Sequence, residues 1–180
     1  MLNFLKREYA KIAVVVIMAA IIGLIVRFTQ PGLEIDYPEQ DTVLTMEDFT
    51  IKTDQGEITV GVSSWDQVTA QLPGGETLGL STIYRPPEKD CLLQFTEDEN
   101  ILNKMHIFAD RFVTSRGVKV TDPFSAVEVS YGPNYTQIKS KDKPDYFEAV
   151  YGSGNNNSIV FQVQDNKIVK IILQHDIYLQ

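Results

Sequence analysis

The sequence predicts an α+β fold, with an N-terminal transmembrane helix followed by two tandem strand–helix–three-strand repeats. Two observations lead to this fold class: an apolar run near the N-terminus, and a recurrence of the same order of elements after about sixty residues. Antiparallel sheet with helices on one face belongs to the α+β class. The composition, with 43% hydrophobic and 22% charged residues in a chain of 180, is that of a globular protein.

The first predicted element is a membrane anchor over Tyr9–Phe28. Its central part, Ile12–Val26, holds no polar side chain, and basic residues flank it on both sides. A helix of this length spans about 30 Å, which matches the hydrocarbon core of a bilayer. No small-x-small pair follows the run, so the pattern favours an uncleaved signal-anchor over a cleaved signal peptide. The excess of Lys and Arg before the run predicts a single-pass protein of the cell membrane, with a cytoplasmic N-terminus and an extracytoplasmic C-terminal domain.

Three regions follow from this interpretation. Residues 1–28 form the cytoplasmic N-terminus and anchor, and residues 29–45, which are polar and acidic and contain two prolines, form a stalk. Residues 46–180 form the α+β domain. Repeat one covers about 46–112 and repeat two about 113–180 of the printed sequence.

Repeat one begins with a predicted hairpin, in which Phe49–Lys52 and Glu57–Val60 flank a turn. A helix follows within Ser63–Leu72, because Trp65, Val68 and Leu72 recur at helical spacing behind a serine cap. Its three further strands are Leu80–Arg85, Cys91–Thr96 and Ile101–Phe108.

Repeat two shows the same order. Gly117–Val120 is a short strand, and Asp122 is a candidate N-cap with Pro123 at the first helical position. The helix presents Phe124, Val127 and Tyr131 at the spacing seen in repeat one. Its three further strands are Tyr146–Tyr151, Ser158–Gln164 and Ile168–Gln174.

This arrangement resembles the tandem repeats of the BLIP-like/SmpA-OmlA group, which includes β-lactamase inhibitor proteins and small outer-membrane assembly lipoproteins. The resemblance covers residues 57–174 and depends on an aromatic-x-x-Val helix, Phe124–Val127, that ends at Gly132-Pro133 before three meandering strands. Thr121 stands where the group usually has Gly, and repeat one ends its helix at Pro73-Gly74-Gly75 instead. The resemblance implies an exported bacterial protein and allows a specific inhibitor.

The residues of the chain give little support for catalysis. Cys91 and His106 suggest a sortase-like thiol and imidazole pair, but their order and context are wrong, so we expect Cys91 to be a buried strand residue. The acidic turn Glu97–Asn100 lacks the spacing of a calcium loop and is expected to be solvated. His175 beside Asp176 is interpreted as a surface pair. We therefore predict no catalytic residue, no cofactor and no metal.

The predicted function is a non-catalytic, membrane-anchored, extracytoplasmic protein-interaction module of a bacterial cell envelope. One alternative is a specific protein inhibitor of an envelope or secreted enzyme, and another is an envelope hydrolase with an unrecognised carboxylate site. The net charge of −8 argues against a nucleic-acid partner, because phosphate binding requires clustered Lys and Arg.

Strand alternation predicts which face of the sheet is available to a partner. One parity is apolar and is expected to pack beneath the helices: Phe147, Ala149, Tyr151, Ile159, Phe161, Val163, Val169, Ile171 and Leu173. The opposite parity forms the candidate protein-binding face: Tyr146, Glu148, Gln162, Gln164, Lys170, Gln174 and His106, with the apolar Val150, Val160 and Ile172 among them. Repeat one adds Gln94, Thr96, Lys104 and Phe108 by the same rule. The alternative for this face is an ordinary solvated sheet surface.

Overall fold

The structure is a computed structural model that describes residues 32–79, 82–152 and 157–175. Strands and short helices alternate along this part of the chain. Its strands are β1 (Leu33–Asp36), β2 (Thr50–Thr53), β3 (Gly56–Thr59), β4 (Glu76–Leu78), β5 (Ile83–Arg85), β6 (Cys91–Phe95), β7 (Leu102–Ile107), β8 (Val113–Thr114), β9 (Thr136–Ser140), β10 (Lys143–Tyr151), β11 (Ser158–Gln164) and β12 (Lys167–Gln174). Its helices are a 3-10 helix (Met46–Phe49), α1 (Trp65–Gln71) and α2 (Phe124–Tyr131).

Nine of these strands form one antiparallel sheet in the order β1-β9-β10-β11-β12-β7-β6-β5-β4, and β3-β2-β8 form a second sheet. Each half of the large sheet is a four-stranded meander that follows one helix: β4–β7 follow α1, and β9–β12 follow α2. The last strands of the two meanders, β7 and β12, pair with each other at the centre of the sheet.

The hydrophobic core lies between the large sheet and the two α-helices. Val68 of α1, Leu72 at its C-cap, and Phe124, Val127 and Tyr131 of α2 are buried as their helical spacing predicts, and Trp65 is partly buried against the same core. Aromatic rings fix each helix on the same side of the sheet. The Trp65 ring lies 4.8 Å from that of Phe95, and the Tyr131 ring 5.1 Å from that of Phe161.

The structure contradicts the predicted fold class. Antiparallel sheet dominates the molecule, and the two α-helices of the described chain have only seven and eight residues. In residues 32–79, 82–152 and 157–175, no helix has the length and apolarity to cross a membrane. The predicted anchor, Tyr9–Phe28, lies outside the described residues. Strands β1, β4 and β9 escaped prediction because their sequences lack clear alternation. For β1 and β4, an edge position also leaves both faces of the strand partly exposed.

A β-bulge in β12 changes which of its residues are buried, so the predicted core of this strand is partly wrong. Gln162 pairs with Lys170, whereas Val163 pairs with Ile168, so Val169 is the extra residue. As a result Ile168 is buried and Val169 is 40% exposed, and the prediction of Val169 as a core residue is wrong. Repeat one has an equivalent register shift between Gln94 and Phe95, which buries Leu102.

The two helix N-termini differ in their capping. Ser64 caps α1 in a capping box with Gln67, as the serine before the helix predicts. At α2 the N-cap is Pro123, so the predicted cap residue Asp122 is wrong. The Asp122 carboxylate accepts a hydrogen bond from the Lys119 amide (2.9 Å) and closes the preceding turn instead.

Part of the segment predicted as a stalk is folded onto the domain. Strand β1 pairs with β9 along its whole length. The Gln40 side chain donates to the carbonyl of Val150 and accepts from the amide of Gly152. Residues 33–49 therefore act as a strap along the second repeat.

Candidate interaction face

One face of the large sheet carries no helix from the described residues. We call this side, over strands β5, β6, β7, β12, β11 and β10, the open face. Residues on the open face of these strands are half-buried, whereas their neighbours in the chain are buried against α1 and α2. The open face is therefore the broad surface on which the sheet can meet another molecule.

An apolar row crosses the middle of the open face. Strand pairing aligns Leu92 with His106, His106 with Ile172, Ile172 with Val160, and Val160 with Val150. Paired residues on one face of an antiparallel sheet have Cβ atoms about 4.5–5.5 Å apart, so these side chains form a continuous strip. The strip is composed of Leu92, His106, Ile172, Val160 and Val150.

The predicted face residues lie on both sides of this apolar row. Glu148 pairs with Gln162 and Gln162 with Lys170, while Tyr146 pairs with Gln164. On the other side, Gln174 pairs with Lys104. The structure thus brings Tyr146, Glu148, Gln162, Gln164, Lys170, Gln174 and His106 together on four adjacent strands.

Glu148 organises the polar part of the face. Its Oε1 accepts hydrogen bonds from the Tyr146 hydroxyl (3.0 Å) and from Gln162 Nε2 (2.8 Å). Partial burial, together with the hydrogen bond and negative charge of Glu148, raises the pKa of Tyr146 to about 12. Tyr146 is therefore a neutral donor at physiological pH, and the three side chains are held in one arrangement.

His106 is the titratable group at the centre of the row. Burial, together with the positive charges of Lys170 and Lys104, lowers its pKa to about 4. The imidazole is consequently neutral at pH 7. Its Nδ1 is buried and has no hydrogen-bond partner within the described residues.

The sequence misplaced one residue of this face and missed another. Thr96 is buried in the turn after β6, where its hydroxyl accepts a hydrogen bond from the Ile101 amide, so its prediction as a face residue is wrong. Leu92 belongs to the apolar row but was not predicted, because an apolar strand residue next to buried neighbours is ordinarily assigned to a core. Strand parity counted back from Gln94 would have identified it.

The geometry separates the residues that suggested catalysis. Cys91 pairs with Ile107 and is buried on the helix side, whereas His106 lies on the open face. Burial, reinforced by the charge of Asp90, raises the pKa of the Cys91 thiol well above its usual range. His175 is buried against Phe49 (5.4 Å between rings), so its prediction as a surface residue is wrong, and Asp176 lies outside the described chain.

The acidic turn after β6, Glu97–Asn100, is exposed. Across the described ranges, no group of three or more His, Cys, Asp and Glu side chains has the geometry to hold a metal ion.

Searches of protein families, curated proteins and solved structures gave no match to this chain. The open face, a broad surface with an apolar centre and polar margins, is therefore the candidate interaction site in the described residues.

Proposed function

We propose that this protein is a non-catalytic interaction module that binds another protein through the open face of its large sheet. The observation that carries the proposal is the in-register row Leu92–His106–Ile172–Val160–Val150 with polar side chains along both margins. Protein interfaces commonly combine an apolar centre with a polar rim. The energetic contribution of such interfaces is concentrated in a few central side chains.

The alternative is a solvated sheet face with no partner. Antiparallel sheets often leave one face in water, but that face is then predominantly polar along each strand. Here five adjacent strands each place an apolar or aromatic side chain in the same row. Contiguous apolar surface of this kind is typical of interaction sites.

Site-specific photo-crosslinking tests the proposal. A benzophenone amino acid placed at Gln162 or at Gln94 samples the open face, and one placed at Val129 samples the exposed side of α2. In cells of the native host, we expect the two face positions to cross-link the same protein and Val129 to cross-link none. Equal labelling from all three positions, or from Val129 alone, would contradict the proposal.

A triple variant provides the complementary test. Substituting Tyr146, Gln162 and Lys170 together by alanine removes polar side chains from the face without removing a core residue. We expect this variant to lose the cross-linked partner while its melting temperature stays within a few degrees of that of the wild type. Retention of the partner by a folded triple variant would show that the face is wrongly assigned.

A further inference from the structure

Two lysines on the open face lack an acidic partner among the described residues. Within the described part of the chain, neither Lys104 nor Lys170 forms an ion pair within 4 Å. The Lys170 ammonium instead lies 5.3 Å from the centre of the Phe108 ring, which is itself exposed. Both charges are thus available to an approaching molecule.

Among the open-face residues near the apolar row, two lysines accompany one carboxylate. Glu148 accepts hydrogen bonds from the uncharged side chains of Tyr146 and Gln162 and keeps its negative charge. At the sheet margin, Glu76 is paired with Arg85. With Lys104 and Lys170 against Glu148, the centre of the open face carries a local charge of +1, although the chain as a whole has a net charge of −8.

Lys104 and Lys170 lie on opposite sides of the His106–Ile172 pair at the centre of the apolar row. Along β7, Lys104 is two residues before His106 and pairs with Gln174. Along β12, Lys170 is two residues before Ile172, and because the strands are antiparallel it lies on the other side of the pair. With about 3.4 Å per residue along a strand and about 4.8 Å between strands, their Cα atoms are about 14 Å apart. A ligand that contacts both lysines must pass over His106 and Ile172.

We propose that the open face recognises an acidic polypeptide segment, whose carboxylates pair with Lys104 and Lys170 and whose apolar side chains cover the row between them. This inference rests on the proposed function and adds the chemistry of the partner. Charge complementarity selects the partner and accelerates its encounter, and the apolar row provides the contact area. A nucleic acid would require more cations than this acidic chain presents on the face.

The experiment uses the full chain, labelled with ¹⁵N, and a random copolymer of Glu and Tyr (4:1) as the probe. A copolymer of Lys and Tyr (4:1), a thymidine oligonucleotide and phosphatidylglycerol vesicles are compared under the same conditions. We expect the Glu–Tyr copolymer to shift the amide signals of residues 104, 106, 170 and 172. The other three probes should leave these signals in place.

Charge-matched variants test the lysines. We expect a Lys104→Gln/Lys170→Gln double variant to bind the Glu–Tyr copolymer at least tenfold more weakly, which corresponds to about 1.4 kcal/mol. A Lys52→Gln/Lys141→Gln variant changes the net charge equally but alters exposed lysines outside the face, and it should bind like the wild type.

Three outcomes would overturn the inference: no shift of the face signals, equal weakening by the two double variants, or equal binding of the oligonucleotide or vesicles at the face. The proposed function is tested separately by the cross-linking above. If the face captures a protein but ignores the acidic copolymer, only the partner chemistry is wrong. If neither experiment detects binding, both proposals fail.

Discussion

Thr121 holds a backbone conformation that favours glycine. Its φ is 78°, a value in the left-handed region that costs a β-branched residue roughly 1–3 kcal/mol. Its amide donates to the carbonyl of Ile168 (2.8 Å) just before α2. In repeat one, Gly61 occupies the corresponding place, with φ of 92° and an amide that donates to Leu102. The strain at Thr121 is therefore maintained by the pairing of the chain with β12.

We expect Thr121→Gly to raise the free energy of unfolding by about 1 kcal/mol, because relief of strain exceeds the added entropy of a glycine in the unfolded chain. The Thr121 side chain is exposed, so little packing is lost. Thr121→Ala keeps a Cβ at positive φ and should gain much less. Urea unfolding measures all three proteins, and a destabilised glycine variant would contradict this account of the strain.

Asp48 and Arg116 join the strap to the domain. Asp48 is 3% exposed, and its carboxylate accepts from Arg116 Nε (2.5 Å) and from Arg116 Nη2 (2.9 Å). Burial by itself would raise the pKa of Asp48, but hydrogen bonds from Arg116 and the Thr45 amide, with the charge of Arg116, hold it below its ordinary value. The same guanidinium donates to the carbonyls of Ser130 and Val43 and lies over the Tyr131 ring.

We expect Asp48→Asn to lower the free energy of unfolding at pH 7 by about 2–3 kcal/mol, since it leaves a partly buried guanidinium without its counter-charge. A depressed folded pKa gives stability above the unfolded value that is lost as the pH falls through the folded value. The difference from the wild type should therefore shrink below about pH 4. Glu47→Gln removes an exposed neighbouring charge and serves as the control. A difference that persists unchanged at pH 2.5 would mean that the ion pair is not responsible.

Helix α2 is stabilised by the side that faces the sheet. Phe124 is 5% exposed, and its ring contacts those of Tyr135 and Phe147 at 5.2 and 4.9 Å. Val129, on the other side of the same helix, is 87% exposed. Substitutions at Phe124 and Val129 can therefore distinguish how much packing and how much helix formation contribute to the free energy of unfolding.

We expect Phe124→Ala to cost about 3–5 kcal/mol, the range for a buried phenylalanine that leaves a cavity. Val129→Ala should change stability by less than about 0.5 kcal/mol, because it removes no buried contact. Equilibrium unfolding of both variants provides the comparison. A loss below about 1 kcal/mol for Phe124→Ala would mean that α2 does not pack as described.

The two halves of the large sheet are related at the level of their elements. Each half has a helix, a four-stranded meander and a bulge in its last hairpin. The first residue of each helix, Trp65 or Phe124, donates its amide to the turn of that hairpin at Asn100 or Asn166. The recurring sequence pattern thus corresponds to a recurring set of hydrogen bonds, even though the predicted fold class was wrong.

The stability of the whole molecule should decrease on acidification. The folded pKa of His106 is about 4, below the unfolded value of about 6.5, so the folded state binds fewer protons between these values. Stability is therefore lost as the pH falls from 6.5 to 4, and the loss of the Asp48 contribution continues at lower pH. Both groups act in the same direction.

We expect His106→Gln to remove part of this dependence, because glutamine does not titrate. Melting temperatures of both proteins are measured from pH 7.5 to pH 4. We expect the melting temperature of the wild type to fall more steeply over this range than that of the variant. A constant difference across this range would show that His106 does not titrate below its ordinary value.

Local pattern determined much of this molecule. Helical spacing placed Val68, Leu72, Phe124, Val127 and Tyr131 in the core, and the serine before α1 predicted its cap. Alternation in β10 and β11 predicted which side faces the helices, and hence the polar residues of the open face. These features depend on residues close in the chain, so the sequence alone could predict them.

Tertiary structure decided the rest, because the remaining features depend on partners far apart in sequence. The bulge at Val169 exists only where β12 pairs with β11, and it moves Ile168 into the core against simple alternation. Strand β1 becomes a strand by pairing with β9, about a hundred residues further along the chain. The apolar row of the open face likewise arises only when β7 and β12 meet, since that pairing alone aligns His106 of one half with Ile172 of the other.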